Sequence, residues 1–178
     1  LRKFDGIYVE TSTMQKTLEA QGFCNVFVMP NCKKLTVLSE NELVYPSGTP
    51  YKLCTFSRVM KEKGIEIAVD AVKKVNEQLG YTAYSLDIYG NGELFEELHT
   101  LSQQLGIADK VCFKGNVSNV NENIINAKIF VLTSDYEGMP NALMEAMASG
   151  LPCVSTDCGG GGARFLIRDG ENGLLVPK

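Results

Sequence analysis

The chain lacks several features that would mark common functional classes. Its apolar runs reach only the length of a strand, whereas a transmembrane helix needs about 20 consecutive apolar residues. Its net charge is −4, its pI is about 5.1, and no basic stripe is present. Because binding to a nucleic-acid backbone depends on clustered Lys and Arg, nucleic acid is not an expected partner.

Histidine is nearly absent, since His99 is the only one in the 178 residues. A Ser-His-Asp arrangement would have to use it, but Glu96, Glu97 and Thr100 surround it on the polar face of a predicted helix. We therefore expect a solvated side chain here and no general base. A Gly-x-Gly-x-x-Gly run after a strand is also missing, which disfavours a nicotinamide-dependent dehydrogenase.

Cysteine is present, but no pair has Cys-x-x-Cys spacing; the six lie at positions 24, 32, 54, 112, 153 and 158. Cys54, Cys112 and Cys153 fall in apolar strand-like runs, where cysteine behaves as a small hydrophobe. We therefore predict reduced, buried thiols in a cytoplasmic protein. Cys158, beside glycines in a predicted loop, is the one candidate for a reactive thiol.

Short apolar runs alternate with segments of helical period along the chain. Predicted strands occupy residues 6–10, 25–29, 52–56, 83–89, 111–113, 129–132, 152–155 and 173–176, and the longest predicted helix is 65–79. This alternation predicts βαβ units in a Rossmann-like three-layer α/β/α fold with a parallel sheet. Residues 32–50 have no period and are rich in Ser, Asn, Pro and Gly, which predicts a connector or a lid.

Because ligands of such sheets bind beyond the carboxyl ends of the strands, the loops there carry the functional candidates. Arg58, with its planar fork of donors, and Lys63, near a helix start, suit a diphosphate, although for this segment alone a solvated basic loop is the favoured interpretation. Gly90 and Gly92 at the next strand end allow the backbone to approach a ligand closely. Two glycines in a tight turn are weak evidence, and so is the loop 113–117, which could face a flat base.

The loop and helix at 137–150 are the most informative segment. Glu137 precedes a helix start whose backbone N–H groups at Ala142 and Leu143 are free, and Glu145 follows one turn inside. Carboxylates accept strong hydrogen bonds from sugar hydroxyls, and a helix start can hold a phosphate between them. Solvated acids remain the alternative, but the helix is apolar nearly all round, so Glu145 is expected to be partly buried.

The glycine-rich loop at 156–164 follows the next strand. It contains four consecutive glycines at 159–162 and precedes a predicted helical turn. Two interpretations remain open here, a loop that closes over the ligand and a flexible linker.

The run 137–152 (EGMPNALMEAMASGLP) with its Glu-x7-Glu spacing resembles family 4 of the GT-B retaining glycosyltransferases, the glycosyl transferases group 1. Segments 58–64, 87–92 and 169–177 are similar to the same family. The resemblance implies a nucleotide-sugar donor-binding domain at 51–178, which would be the C-terminal half of a GT-B fold. It further implies a linker at 32–50 and, at 1–31, a remnant of the end of the N-terminal domain.

By this resemblance Arg58 and Lys63 would bind the donor diphosphate and stabilise the leaving group, and Glu137 would contact the donor sugar. Glu145 would hold the ribose hydroxyls. Backbone contacts to sugar and phosphate would come from Gly138, Met139, Asn141, Ala142 and Leu143. No metal or other cofactor is expected, in line with the lack of Asp-x-Asp, because cations and a helix start would replace the metal.

The resemblance also implies a hexosyltransferase-type activity (EC 2.4) in surface polysaccharide or lipopolysaccharide synthesis, at the cytoplasmic side of the membrane. The glycan or lipid-linked acceptor, and any membrane contact, would belong to the missing N-terminal domain, so this chain alone is expected to be inactive. The four-glycine loop departs from the shorter glycine turn common in the family. Two alternatives stay open, a non-catalytic nucleotide-sugar-binding module and a glycosidase that uses Glu137 and Glu145.

Overall fold

The structure, a computed structural model, describes residues 4–35, 37–42 and 47–178. Residues 1–3, 36 and 43–46, which belong to the predicted domain remnant and linker, lie outside the described residues. The chain begins with β1 (Ile7–Val9), α1 (Ser12–Ala20) and β2 (Val26–Val28). The two strands pair in parallel, with Ile7 opposite Val26. Helix α1 starts at Thr11, whose hydroxyl accepts a hydrogen bond from the Met14 N–H at 3.1 Å and caps the helix.

The main sheet has six parallel strands, which confirms the predicted parallel α/β fold. The strands are β3 (Tyr51–Phe56), β4 (Tyr84–Tyr89), β5 (Val111–Gly115), β6 (Ile129–Leu132), β7 (Cys153–Thr156) and β8 (Leu174–Val176). The helices are α2 (Ile65–Leu79), α3 (Phe95–Gln104), α4 (Val120–Ile124), α5 (Asn141–Ala148) and α6 (Gly162–Leu166), with 3-10 turns at Glu40–Glu42 and Lys61–Lys63. No helix in the described ranges is both long and apolar enough to cross a bilayer.

Hydrophobic cores cover both faces of this sheet. One core packs Val69 and Val72 of α2 and Leu98 of α3 against Leu86 and Ile88 of β4. The other core lies under α4, α5 and α6, and its members include Cys54, Phe56, Phe130, Leu143 and Ala163. Successive residues of a strand thus point into opposite cores, as the pleat of a strand requires. The loops at the strand ends are therefore attached to a sheet that is packed on both faces.

The strand order β5-β4-β3-β6-β7-β8 contains a reversal between β3 and β6. The chain winds outward from β3 through β4 to β5, and then returns to place β6 on the other side of β3. At such a reversal the loops after the two central strands turn in opposite directions and leave a crevice, which is where open α/β sheets bind ligands. The loops that follow Phe56 and Leu132 meet there.

The segment after β2 runs along α5. The Asn31 side-chain amide donates to Asn141 Oδ1 at 3.1 Å at the helix start, and the Leu38 N–H donates to the Ala148 carbonyl at 3.1 Å at its end. We call residues 31–35 and 37–38 the crossing segment. This part of the predicted connector is therefore packed against the main body.

The described structure corrects two expectations about thiols. All six cysteines are free, but Cys112 is exposed and was wrongly predicted to be buried. Strand β5 lies at the sheet edge, and while Phe113 packs on Phe95 of α3, the next residue back, Cys112, alternates to the opposite face and is exposed. Cys158, the candidate reactive thiol, is buried, and burial together with the Glu137 charge raises its pKa. A raised pKa disfavours the nucleophilic thiolate, so this candidate was wrong.

The four-glycine loop is packed, so its interpretation as a flexible linker was wrong. Gly160, Gly161 and Gly162 are buried. A Cβ added to Gly160 would lie 2.1 Å from the Glu137 carbonyl oxygen, and one added to Gly162 would lie 1.5 Å from the Gly138 carbonyl oxygen. The predicted helical turn follows as α6. The glycines are needed because two backbone segments touch here.

Candidate functional site

A cavity of about 540 Å³ opens at the reversal between β3 and β6. Its lining brings together most of the predicted polar side chains, and it includes Lys33, Arg58, Lys63, Glu137, Met139, Asn141, Ala142 and Glu145. His99, by contrast, is exposed on α3, as expected from the sequence. The loops after two central strands and the start of α5 therefore converge on one concave surface, which is the usual form of a ligand site.

Glu137 is held in a defined orientation. Its Oε1 lies 2.7 Å from Lys63 Nζ and accepts a hydrogen bond of 2.7 Å from the Ser134 hydroxyl. The side chains of Lys63 and Glu137 are 19% and 13% exposed, and Ser134 is buried. Since water is largely excluded, this charge-assisted pair is stronger than a surface salt bridge. The predicted diphosphate ligand Lys63 is thus already paired with the predicted sugar ligand.

Residues 156–159 hold the loop that carries Glu137 through two hydrogen bonds, one of them from the Glu137 backbone. The Glu137 N–H donates to the Gly159 carbonyl at 2.9 Å, and the Thr156 hydroxyl donates to the Ser134 carbonyl at 2.7 Å. Ser134 was not among the sequence candidates, although its place three residues before Glu137 is a local signal that could have identified it.

The start of α5 faces the cavity. Pro140 precedes the helix in an extended conformation, and no described side chain caps the first-turn N–H groups. The first intrahelical hydrogen bond runs from the Met144 N–H to the Pro140 carbonyl at 3.1 Å. The N–H groups of Asn141, Ala142 and Leu143 precede that bond, and such groups favour an anion. The Leu143 side chain itself is buried in the core.

Glu145 lies one turn further along α5. Its side chain is 17% exposed, which confirms the expected partial burial, and its Oε1 forms an ion pair with Lys33 Nζ. Lys33 belongs to the crossing segment and was not among the candidates. Nothing in the aperiodic sequence of 32–50 marks it, because its partner is 112 residues away.

Arg58 lies at the mouth of the cavity and is exposed. It also lines an adjoining cavity of about 220 Å³, whose other lining residues include Gly90, Asn116 and Val117. A Cβ at Gly90 would lie 1.9 Å from the Ser57 carbonyl oxygen, and one at Gly92 would lie 2.2 Å from the Val59 carbonyl oxygen. Gly92 lines neither cavity in the part of the chain that the structure describes. Close backbone packing thus explains both glycines, and their predicted role in donor binding stays a prediction.

The loop at Gly138 and Met139 contacts the N-terminal unit, the name we give to β1, α1 and β2 at residues 7–28. Glu10, which directly follows β1, accepts a hydrogen bond from the Met139 N–H at 2.8 Å. Thr11 donates to the Gly160 carbonyl, which ties the same unit to the glycine-rich loop. Glu10 was not a candidate either, because nothing local in its sequence indicates a partner 129 residues away.

The charges of the cavity are balanced in pairs. Lys63 faces Glu137 and Lys33 faces Glu145, while Arg58 stands exposed at the mouth. Among the described residues, no group of three or more His, Cys, Asp and Glu side chains is arranged to hold a metal ion. The arrangement offers cations and helix N–H groups for an anion, and carboxylates for hydroxyl groups.

The chain is similar to several known proteins. The family model for glycosyl transferases group 1 matches residues 44–178. The GtfA subunit of a UDP-N-acetylglucosamine–peptide N-acetylglucosaminyltransferase from Streptococcus gordonii is 32% identical over 177 residues, which are 98% of this chain and 34% of that protein. The lipopolysaccharide core biosynthesis glycosyltransferase LpsE from Rhizobium meliloti is 29% identical over 143 residues, which are 80% of this chain and 39% of that protein.

A solved structure is also similar. The pneumococcal O-GlcNAc transferase GtfA, crystallised in complex with UDP and GlcNAc, superposes with a TM-score of 0.81 at 27% identity, over 99% of this chain and 34% of that one. The chain thus spans little more than a third of the length of these relatives.

Proposed function

The chain belongs to the glycosyl transferases group 1, and we propose that its cavity binds the nucleotide-sugar donor of a transferase that retains the anomeric configuration. The observation that carries this proposal is the placement of Glu137 and Glu145 on one cavity, on either side of the α5 start, with Arg58 and Lys63 beside them. A helix start and two cations suit a diphosphate, and carboxylates on both sides of it suit hydroxyl groups.

In this arrangement the diphosphate lies at the N–H groups of Asn141, Ala142 and Leu143. Arg58 and Lys63 bind its oxygens. The ribose hydroxyls donate to Glu145, and the sugar contacts Glu137 and the backbone of Gly138 and Met139. Since Lys63 and Ser134 occupy Oε1 of Glu137, a sugar hydroxyl would be received by Oε2. The adjoining cavity next to Gly90 and Asn116 is open to the base.

The reaction would be a front-face displacement. The acceptor hydroxyl attacks the anomeric carbon from the side on which the diphosphate leaves, and its proton passes to the departing phosphate oxygen. Arg58, Lys63 and the α5 N–H groups stabilise the negative charge that develops on that oxygen, which is the dominant catalytic effect in such sites. Because these groups supply the positive charge, we propose that no metal takes part. Addition of EDTA to the full-length enzyme should leave its rate unchanged, and a rate restored only by Mg²⁺ or Mn²⁺ would contradict this.

The acceptor is proposed to be a glycan or a lipid-linked glycan, held by a preceding N-terminal domain at the inner face of the plasma membrane. Relatives in lipopolysaccharide and polysaccharide synthesis support this class of acceptor. A protein acceptor is the second candidate, because the Streptococcus gordonii relative, which matches nearly the whole chain, is named for transfer to a peptide. Incubation of the full-length enzyme with radiolabelled donor and each acceptor class separates the two.

Calorimetry tests the donor site itself. We expect the isolated chain to bind one of UDP, GDP and ADP, with UDP favoured because the pneumococcal relative was crystallised with it. Arg58→Ala and Glu145→Ala should each weaken binding about tenfold or more, since each removes a charged partner of the ligand. Arg168→Ala, an exposed arginine that does not line the cavity, serves as the matched control. No heat with any of the three nucleotides, on a sample with a folded circular-dichroism spectrum, would refute the donor site.

A further inference from the structure

Among the described residues that line the cavity, Lys33 is the one cation that does not belong to the loop after β3. We propose that Lys33 is an additional donor-binding residue, which pairs with Glu145 as seen in the structure and turns to the diphosphate when a nucleotide binds. Glu145 is then free to accept hydrogen bonds from the ribose. This inference rests on the proposed donor site and assigns that site a residue on the crossing segment.

The exposures of the two partners show which of them can move. Glu145 lies on α5 and its side chain is 17% exposed, whereas the Lys33 side chain is 44% exposed. A lysine ammonium is a compact charge on a flexible stem, and its three donors accept a new partner without a fixed geometry. The carboxylate therefore stays in place and the ammonium changes partner.

The backbone under Lys33 does not need to move for this exchange. Asn31 is bonded to Asn141 at 3.1 Å, and Leu38 is bonded to Ala148 at 3.1 Å. These contacts hold the crossing segment against both ends of α5, with Lys33 between them and facing the same cavity as Arg58 and Lys63. A rotation of the side chain alone is enough.

The charge balance of the cavity gives the reason for the exchange. As the side chains lie in the structure, Lys63 is paired with Glu137 and Lys33 with Glu145, so the cavity has little net positive charge to attract a diphosphate. A carboxylate that remains bound to an ammonium would also compete with the ribose hydroxyls for the same oxygen. Transfer of Lys33 to the phosphates removes that competition and adds a third cation around the most negative part of the ligand.

Matched variants test the proposal by calorimetry. Lys33→Ala is compared with Lys34→Ala, which removes the same charge from the adjacent exposed residue that does not line the cavity. Each variant is titrated with the nucleoside diphosphate that binds the unchanged chain and with the corresponding nucleoside, which has no phosphate. We expect Lys33→Ala to weaken the diphosphate about tenfold and to leave the nucleoside unchanged or tighter, because Glu145 is freed. Lys33→Arg should retain most of the affinity, and Lys34→Ala should match the unchanged chain.

The outcomes separate this proposal from the donor site. If the unchanged chain binds a diphosphate and Lys33→Ala binds it equally well, the role of Lys33 is refuted and the donor site stands. An equal loss for diphosphate and nucleoside would show that Lys33 only supports the fold of the site, which also overturns the proposal. If the unchanged chain binds none of the three diphosphates, the donor site and the role of Lys33 fail together.

Discussion

The carboxylate of Glu10 accepts a hydrogen bond from the backbone N–H of Met139, with Oε2 2.8 Å from the nitrogen. Glu10 directly follows the first strand of the N-terminal unit, and Met139 belongs to the loop proposed to contact the donor sugar. The hydrogen bond therefore joins the two sheets at the edge of the cavity. A Cβ at Gly138 would lie 1.9 Å from the same carboxylate oxygen, so the loop approaches Glu10 as closely as its backbone permits.

Replacement of Glu10 should loosen this junction. Glu10→Ala leaves the Met139 N–H without its charged acceptor, and we expect the free energy of unfolding to fall by about 1–2 kcal/mol. Urea denaturation followed by circular dichroism measures the change. Glu19→Ala, at an exposed position on α1, is the control and should stay within about 0.5 kcal/mol of the unchanged chain. Equal stability of the two variants would mean that the Glu10 contact contributes nothing.

Ser134 is expected to position Glu137 for the ligand. Ser134→Ala removes the hydroxyl that donates to Glu137 Oε1 at 2.7 Å but leaves the Lys63 pair intact. If the proposed transfer activity is assayed in the full-length protein, we expect its rate to fall about tenfold, because one of two contacts that orient the carboxylate is lost. Ser134→Thr, which keeps the hydroxyl, should recover part of the rate. Steady-state kinetics with both variants provides the measurement, and an unchanged rate for Ser134→Ala would argue against positioning.

Because the glycine-rich loop is packed, alanine in place of Gly160 should destabilise the chain more than alanine in place of a glycine with free space around it. Gly160 and Gly106 have similar positive φ values of +85° and +70°, so alanine is strained at both by about 1–2 kcal/mol. A Cβ at Gly106 has open space, whereas one at Gly160 lies 2.1 Å from the Glu137 carbonyl oxygen. Gly160→Ala should therefore cost at least about 2 kcal/mol more than Gly106→Ala in urea denaturation. If both cost the same, the loop is free to move aside.

Thiol labelling tests the burial of the cysteines. Cys24, Cys32 and Cys112 are exposed and should react with DTNB at pH 8 in the folded chain. Burial raises the pKa of Cys153 to about 12 and raises the pKa of Cys54 further, while burial and the Glu137 charge raise that of Cys158. A raised pKa leaves little thiolate at pH 8, so three thiols should react quickly and all six only after unfolding in guanidinium. Rapid reaction of a fourth thiol would contradict the packing of this core.

Helices and strands with a strong hydrophobic period could be predicted from the sequence. Their first and last residues were predicted wrongly where pairing with a neighbouring strand sets the boundary. The predicted helix 65–79 is observed as Ile65–Leu79, because its buried positions recur at helical spacing up to Gly80. The strand predicted at 111–113 continues to Gly115, since a shift in register lets Tyr89 pair with Gly115. Such an irregularity depends on the neighbouring strand and leaves no signal in the strand itself.

In the candidate site, too, only residues with a local sequence signal could be predicted. Glu137 and Glu145 could be proposed because their spacing within a long family-like run is local. Lys33 and Glu10 could not, since each meets its partner across more than 100 residues and no local pattern indicates that partner. Contacts of this kind are set by how the N-terminal unit and the crossing segment pack on the main sheet, which only the folded chain specifies.

The packing of the glycine-rich loop also decides where foreign sequence can be introduced into this protein. Four consecutive glycines would attract anyone who wants to place an affinity tag, a fluorophore or a split-protein junction. At that position an insertion would separate the backbone of residues 137–138 from the loop that touches it and would deform the cavity. The turn at Gly80, where an added Cβ meets no neighbour and Tyr81 is exposed, lies away from these contacts and is the place for such a label.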